Sequence, residues 1–201
     1  MAQGIIHNVD DAPRVMARLL DDHRSIDRVM HCLEHEIDGL QGSETGSSYL
    51  GLSRIIEYMS RYADVTHHPL EDRMFDRLLH KGVSPTERHL VFQNLGQHQE
   101  ILASTRALQA ELDRVLLNDS GQDARALLEA AEAYLRQQRK HMSFEETHLF
   151  PLAQYRLDNS DWNALADELA EIEDPVRHPK TAEQLQELRG LCRLILSEAA
   201  T

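Results

Sequence analysis

The chain has 201 residues, of which 41 % are hydrophobic, and its 34 acidic against 21 basic residues give a formal net charge of −13. This negative charge disfavours nucleic acid and anionic membrane surfaces as partners and favours cations. No apolar run is long enough to span a bilayer, and residues 1–13 lack the basic and apolar regions of a targeting peptide, so we expect a cytoplasmic protein without membrane contact.

Four long helices are predicted from their caps and breakers. Apolar residues recur with a helical period and strand-like alternation is nearly absent, which predicts an all-α fold. The helices should span about 13–40, 48–80, 84–117 and 122–157. Ser84-Pro85-Thr86-Glu87 is typical of a capping box at the start of the third. Short connections predict an up-down-up-down four-helix bundle over residues 1–157.

Residues 158–201 are predicted to form a two-helix C-terminal extension. A turn at 158–162 opens a helix to about residue 174, and a last helix follows at about 181–197. The apolar face of this last helix must be buried. It packs either on the four-helix bundle or on a second subunit in a homodimer.

Ionisable residues interrupt the apolar faces of three of these helices. His23 lies within the apolar stripe of the first helix and His98 within that of the third. In the fourth helix His141 and Glu145 lie one turn apart on the inward face, and His148 lies a further turn along. An imidazole and a carboxylate at this spacing can clamp a metal ion.

The second helix offers two rival clamps within Thr-His-His-Pro-Leu-Glu-Asp at residues 66–72, namely His67 with Glu71 and His68 with Asp72. At about 100° per residue, His67 falls within roughly 50° of the centre of the apolar stripe and His68 roughly 140° from it. We therefore expect His67 and Glu71 to face the core. Pro69 should kink the helix, and a break into two helices is the alternative.

Helix geometry places these residues at one height. In antiparallel helices joined by a short loop, residues equally far from the loop lie side by side. His98 lies 19 residues before Leu117, and His141 lies 19 residues after Gln122. Similar counts bring six residues into one layer: His23, His67, Glu71, His98, His141 and Glu145. This much buried polarity costs several kcal/mol, so a metal site is predicted in preference to unrelated buried ion pairs.

The order of these motifs resembles the hemerythrin-like (HHE, cation-binding) family. The strings at residues 67–71, 141–146 and 149–151 are similar to those of its bacterial members, and the resemblance covers about residues 13–157. It implies a non-haem centre of two iron ions. It makes Glu71 and Glu145 the bridging carboxylates, and it assigns the terminal ligands to His23, His67, His98 and His141.

The resemblance leaves several functions open. Oxygen carriers of the family supply five histidines, whereas four are secure here, as in members implicated in iron–sulfur centre repair and nitric oxide responses. Those repair proteins carry a cysteine-bearing N-terminal domain, and only 22 residues precede His23. We therefore expect a diiron protein that binds or senses dioxygen or nitric oxide, or that handles iron. The alternatives are a diiron enzyme acting on hydrogen peroxide or as an oxidase, iron–sulfur centre repair, and a metal that only stabilises the fold.

The ligand chemistry allows other metals and further ligands. Imidazole and carboxylate ligands without thiolate suit iron, and manganese or zinc are possible substitutes. Three more residues are candidates for an additional ligand or for contacts that support the ligands: His148, His31 and Tyr62.

Overall fold

The computed structural model describes residues 11–41, 48–117 and 124–169, which are almost entirely helical and contain no strand. The first long segment is α1 (Asp11–Gln41), and the second combines α2 (Ser48–Tyr58), a first π-helix (Met59–His67) and α3 (His68–Leu79). The third is α4 (Pro85–Leu117). The fourth combines α5 (Ala124–Phe144), a second π-helix (Glu145–Leu149) and α6 (Phe150–Arg156), and α7 (Asn159–Leu169) follows it.

The start of α4 confirms the predicted capping box. The backbone N–H of Ser84 donates to Glu87 Oε2 at 2.6 Å, and the backbone N–H of Glu87 donates to Ser84 Oγ at 3.3 Å. These two bonds satisfy backbone donors that have no partner inside the helix. The helix therefore begins where local sequence alone places it.

The long segments pack into a helical bundle with a polar layer between two apolar clusters. α1 and α4 each contact both α2 and α5. The first cluster includes Ile26, Met30, Leu33, Leu52, Ile56, Ile101, Leu108 and Leu127, and the second includes Leu19, Leu70, Met74, Phe75, Val91, Leu149 and Phe150. Full burial of each such side chain stabilises the fold by about 1.5–3 kcal/mol. The apolar contacts on both sides therefore hold the polar residues between them in the interior.

A π-helix precedes Pro69, and the helix continues through this proline. Pro69 has no N–H to donate to the carbonyl four residues before it. The preceding residues are in π register, in which the backbone N–H of His68 donates to the carbonyl of Ala63, five residues back. The predicted alternative of two separate helices is therefore wrong.

The same π-helix corrects the prediction for His68. That prediction used about 100° per residue, which holds only for α-helical turns. In π register each turn holds more residues, so neighbouring side chains are separated by a smaller angle and can share a face. His67 and His68 are both buried, at 1 % and 4 % exposure. The expectation that His68 faces away from the core is wrong.

The first helix of the predicted extension packs on the bundle. α7 contacts α1 and α3, and Trp162 is buried in the second apolar cluster. The last predicted helix, at 181–197, and the homodimer contact predicted for it lie outside the described residues. None of the described helices combines the length and the apolar character that a membrane crossing requires.

Candidate metal centre

The structure brings all six residues of the predicted layer together. They come from four helical segments and are each 3 % exposed or less: His23 from α1, His67 from the first π-helix, Glu71 from α3, His98 from α4, His141 from α5 and Glu145 from the second π-helix. Apolar clusters lie on both sides of these side chains.

Glu145 faces imidazoles from three helical segments. Its Oε2 lies 3.3 Å from Nε2 of both His23 and His141. Its Oε1 lies 3.1 Å from His98 Nε2 and accepts a hydrogen bond of 2.8 Å from Asn94 Nδ2. One carboxylate therefore connects the histidines of α1, α4 and α5.

Glu71 occupies the matching place on the other side of the layer. Its Oε1 lies 3.4 Å from His23 Nε2, and its Oε2 lies 3.4 Å from His67 Nε2 and 3.6 Å from His98 Nε2. Both glutamates thus face His23 and His98.

Several of the inward-facing atoms have no hydrogen-bond partner within the described part of the chain, namely Nε2 of His23, His67 and His141, both carboxylate oxygens of Glu71, and Oε2 of Glu145. Each such buried atom costs about 1–3 kcal/mol if nothing binds it. Three groups of residues offer ligand atoms that lie within 4.8 Å of one another: His23, His67 and Glu71; Glu71, His98, His141 and Glu145; and His68, His98 and His141. These nitrogens and oxygens are donors that iron, manganese and zinc accept, so the residues fit a metal centre.

Carboxylates hold the outer nitrogens of His23 and His98. His23 Nδ1 lies 2.8 Å from Glu146 Oε1, and His98 Nδ1 lies 2.6 Å from Asp72 Oδ1. Each of these acids directly follows one of the two central glutamates in sequence. A carboxylate on the outer nitrogen is the usual companion of a metal-bound histidine, because it fixes the ring orientation. The repeated pattern His-x-x-x-Glu followed by an acid was the available sequence signal.

The outer nitrogens of His67 and His141 also face polar side chains. His67 Nδ1 lies 3.5 Å from Asp22 Oδ2, and His141 Nδ1 lies 3.2 Å from Gln97 Oε1. Each partner directly precedes His23 or His98 in sequence. The two halves of the layer therefore repeat the same arrangement of residues.

Tyr62 is connected to this layer through two other side chains. Its hydroxyl accepts a hydrogen bond of 2.7 Å from Arg18 Nη2. Arg18 Nε also donates to Asp22 Oδ1 at 2.9 Å, and Asp22 faces His67. Tyr62 is thus connected to His67 through Arg18 and Asp22.

His148 and His31 lie outside the layer, although the sequence made both of them candidates for an additional ligand or a supporting contact. His148 is exposed, because it lies in the second π-helix, where the α-helical spacing that placed it inward does not hold. His31 is exposed on α1, where its ring nitrogens lie 3.5 Å from carboxylate oxygens of Asp27 and Glu34.

Two further residues lie beside the layer, namely Asn94, which the sequence did not indicate, and His68, which it offered only in a rival clamp with Asp72 and placed away from the core. Asn94 lies one turn before His98 and donates to Glu145, as described above. The ring of His68 stacks on that of His98 with centroids 4.6 Å apart and meets the ring of His141 edge-on at 5.4 Å. The helical spacing between residues 94 and 98 was a usable signal for Asn94. No such signal placed His68, because the π-helix breaks the spacing.

In the metal-free layer the histidines differ widely in pKa. Burial opposes the charged form of His23, but the nearby carboxylates of Glu145, Glu146 and Glu71 outweigh burial and raise its pKa well above 6.5. Burial is likewise outweighed at His98, where Asp72 and Glu145 raise the pKa to about 10. Burial lowers the pKa of His141 to about 3. At neutral pH two of these imidazoles therefore carry a proton that a metal ion must displace.

Comparison with known proteins agrees with this geometry. The model of the Hemerythrin HHE cation binding domain matches residues 14–153, which include all six residues of the layer. No curated protein and no solved structure matches the chain. The family match covers more than half of the sequence and confirms the resemblance seen in its motifs. The chain belongs to the hemerythrin HHE cation-binding domain family.

Proposed function

We propose that this chain is a non-haem diiron protein, built on an up-down-up-down four-helix bundle, that binds or senses a small oxidant such as dioxygen or nitric oxide. In this proposal Glu71 and Glu145 bridge the two ions, and the terminal ligands are His23, His67, His98 and His141. The observation that carries it is the layer of partnerless imidazole nitrogens and carboxylate oxygens inside an otherwise apolar core.

The grouping of the donors supports two ions rather than one. Glu71 belongs to a group with His23 and His67, and also to a group with His98 and His141. The donors therefore divide into two halves that share a carboxylate. A carboxylate shared in this way also lets two positive charges lie close together, because its own charge lies between them.

The path to the centre supports a small ligand. Two irons with imidazole and carboxylate ligands supply open coordination positions when bound. A cleft of about 360 Å³, lined by residues of α1, α5 and the second π-helix, reaches His23 and Glu146. His23 is only 2 % exposed, so very little of its side chain opens into the cleft. A diatomic molecule or a peroxide fits this restriction better than an organic substrate does.

Spectroscopy of the iron-loaded protein tests the proposal. We expect the optical and Mössbauer spectra of the reduced protein to show two coupled irons and to change when dioxygen or nitric oxide is added. Sustained consumption of hydrogen peroxide would favour the enzyme alternative. A spectrum that none of these molecules changes would leave the metal with a purely structural role and would overturn the proposal.

Metal uptake should release protons. His23 and His98 carry a proton in the metal-free fold at neutral pH, because the pKa of each is raised. A protonated imidazole must lose a proton before it binds a metal, so we expect these two residues to release protons on metal binding at pH 7. The apparent affinity for Fe²⁺ should rise as the pH is increased through neutrality. Anaerobic calorimetry in buffers of different ionisation enthalpy measures the proton count.

A matched variant assigns these protons. Asp72→Asn removes the carboxylate that holds the charge on His98 while keeping a side chain of the same size. The pKa of His98 in the metal-free variant should then fall, and fewer protons should be released. Equal proton release from the wild type and from Asp72→Asn would contradict the assignment of a proton to His98.

A further inference from the structure

We infer that His68 is a fifth metal-binding imidazole, which joins His98 and His141 on one ion and makes the two halves of the centre unequal. This inference rests on the proposed function and extends its ligand set by a residue that the family resemblance did not supply.

The first observation is the position of the inner nitrogen of His68. The residue is 4 % exposed, and its Nε2 is buried without a hydrogen-bond partner. A ring nitrogen of His68 lies within 4.8 Å of ring nitrogens of His98 and His141. Nε2 of His141, like that of His68, has no hydrogen-bond partner among the described residues, whereas His98 Nε2 lies 3.1 Å from Glu145 Oε1. A cation between the three rings would satisfy the two unpartnered nitrogens.

The second observation is the partner of the outer nitrogen. His68 Nδ1 lies 3.5 Å from Oδ1 of Asp64, whose side chain is only 1 % exposed. Neither oxygen of Asp64 has a hydrogen-bond partner among the described residues. Asp64 is therefore positioned to orient the His68 ring, as carboxylates do for metal-bound histidines.

His68 thus has the arrangement that the four proposed histidine ligands have. Each of them directs Nε2 towards the centre and Nδ1 towards a polar side chain, which is Glu146 for His23, Asp22 for His67, Asp72 for His98 and Gln97 for His141. A histidine that served only to fill space would not need a buried carboxylate on one nitrogen and an unsatisfied position at the other.

Among the residues that the structure describes, the other half of the centre has no equivalent of His68. The residue that follows His141 is Met142, which is buried in the first apolar cluster. The ion beside His98 and His141 therefore gains a third imidazole, whereas the ion beside His23 and His67 has two. We expect the ion with three imidazoles to be held more tightly.

Anaerobic titration with Fe²⁺ against a competing chelator tests this inference. The wild type should bind two equivalents with different affinities. His68→Ala should weaken binding of the more tightly held iron at least about tenfold, because losing a residue that only supports a metal ligand already lowers metal affinity by about that much. The two affinities should then lie closer together. His148→Ala is the matched control, because His148 is an exposed histidine of the same bundle, and it should leave both affinities unchanged.

The outcomes separate this inference from the proposed function. A wild type that binds no iron would overturn both. Two equivalents in the wild type, with affinities that His68→Ala leaves unchanged, would overturn only the role of His68. If His68→Ala does not fold, a crystal structure of the metal-loaded wild type decides the question. His68 Nε2 should then lie at bonding distance from a metal ion, about 2.1 Å as for imidazole on zinc, and a separation above about 3 Å would overturn the inference.

Discussion

Replacing Glu71 and Glu145 together by glutamine is expected to abolish the stabilisation of this protein by metal. Both carboxylates face histidines from opposite halves of the layer, so the double variant loses the donors that both ions share. An ion that binds only the native state stabilises it by about 2.7 kcal/mol when its free concentration is 100 times Kd. Two ions therefore contribute about 5 kcal/mol. For a chain of this size that corresponds to a rise in melting temperature of roughly 10–20 °C.

Without metal, the wild type and the double variant should differ much less in melting temperature. The double variant loses two buried charges, which favours its fold, but it also loses the ion pairs with protonated His23 and His98. Because the pKa values of both histidines are raised in the fold, their contribution is fully present below about pH 6.5 and is lost as pH rises through the folded values, about 10 for His98. Any deficit of the metal-free variant should therefore shrink between pH 6 and pH 9.

Thermal melts of both proteins, with and without Fe²⁺ under anaerobic conditions, measure this difference. A metal-free variant that melts far below the metal-free wild type at every pH would show that the carboxylates serve the fold directly. If iron stabilises the double variant as strongly as it stabilises the wild type, the two glutamates do not bind the metal.

His141→Ala is expected to reduce the iron content sharply, from close to two ions per chain. His141 lies in the layer and is 2 % exposed. Its Nε2 lies 3.3 Å from Glu145 Oε2 and has no hydrogen-bond partner among the described residues. Its low pKa keeps the ring unprotonated at neutral pH, so it is ready to bind without losing a proton. Iron and protein determined on the same purified sample give the ratio.

An exposed histidine provides the control for this substitution. His80 lies at the end of α3, and its Nδ1 lies 2.8 Å from the carbonyl oxygen of Asp76 on the surface. His80→Ala should retain the iron content of the wild type. Equal iron loss in both variants would point to a general effect of removing histidines, and unchanged iron in His141→Ala would exclude His141 from the centre.

The sequence by itself determined the helical class and most of the helix limits. Apolar residues at helical spacing can be buried only if the segments pair along those faces, and caps such as Ser84 with Glu87 act within one turn. The sequence also indicated the polar layer. A histidine and a glutamate four residues apart share a face of an α-helix whatever the neighbouring helices do, as His141 and Glu145 show.

The tertiary structure decided which other residues join this layer. Rotation along a helix is predictable only while each residue adds the same angle, and the π-helices before Pro69 and Pro151 break that rule. For this reason His68 is buried beside His98, and His148 lies on the surface. The contacts that hold the outer nitrogens were also decided by packing. Asp72 reaches His98, and Glu146 reaches His23, only because separate helices meet at one height, a distance relation that no local pattern contains.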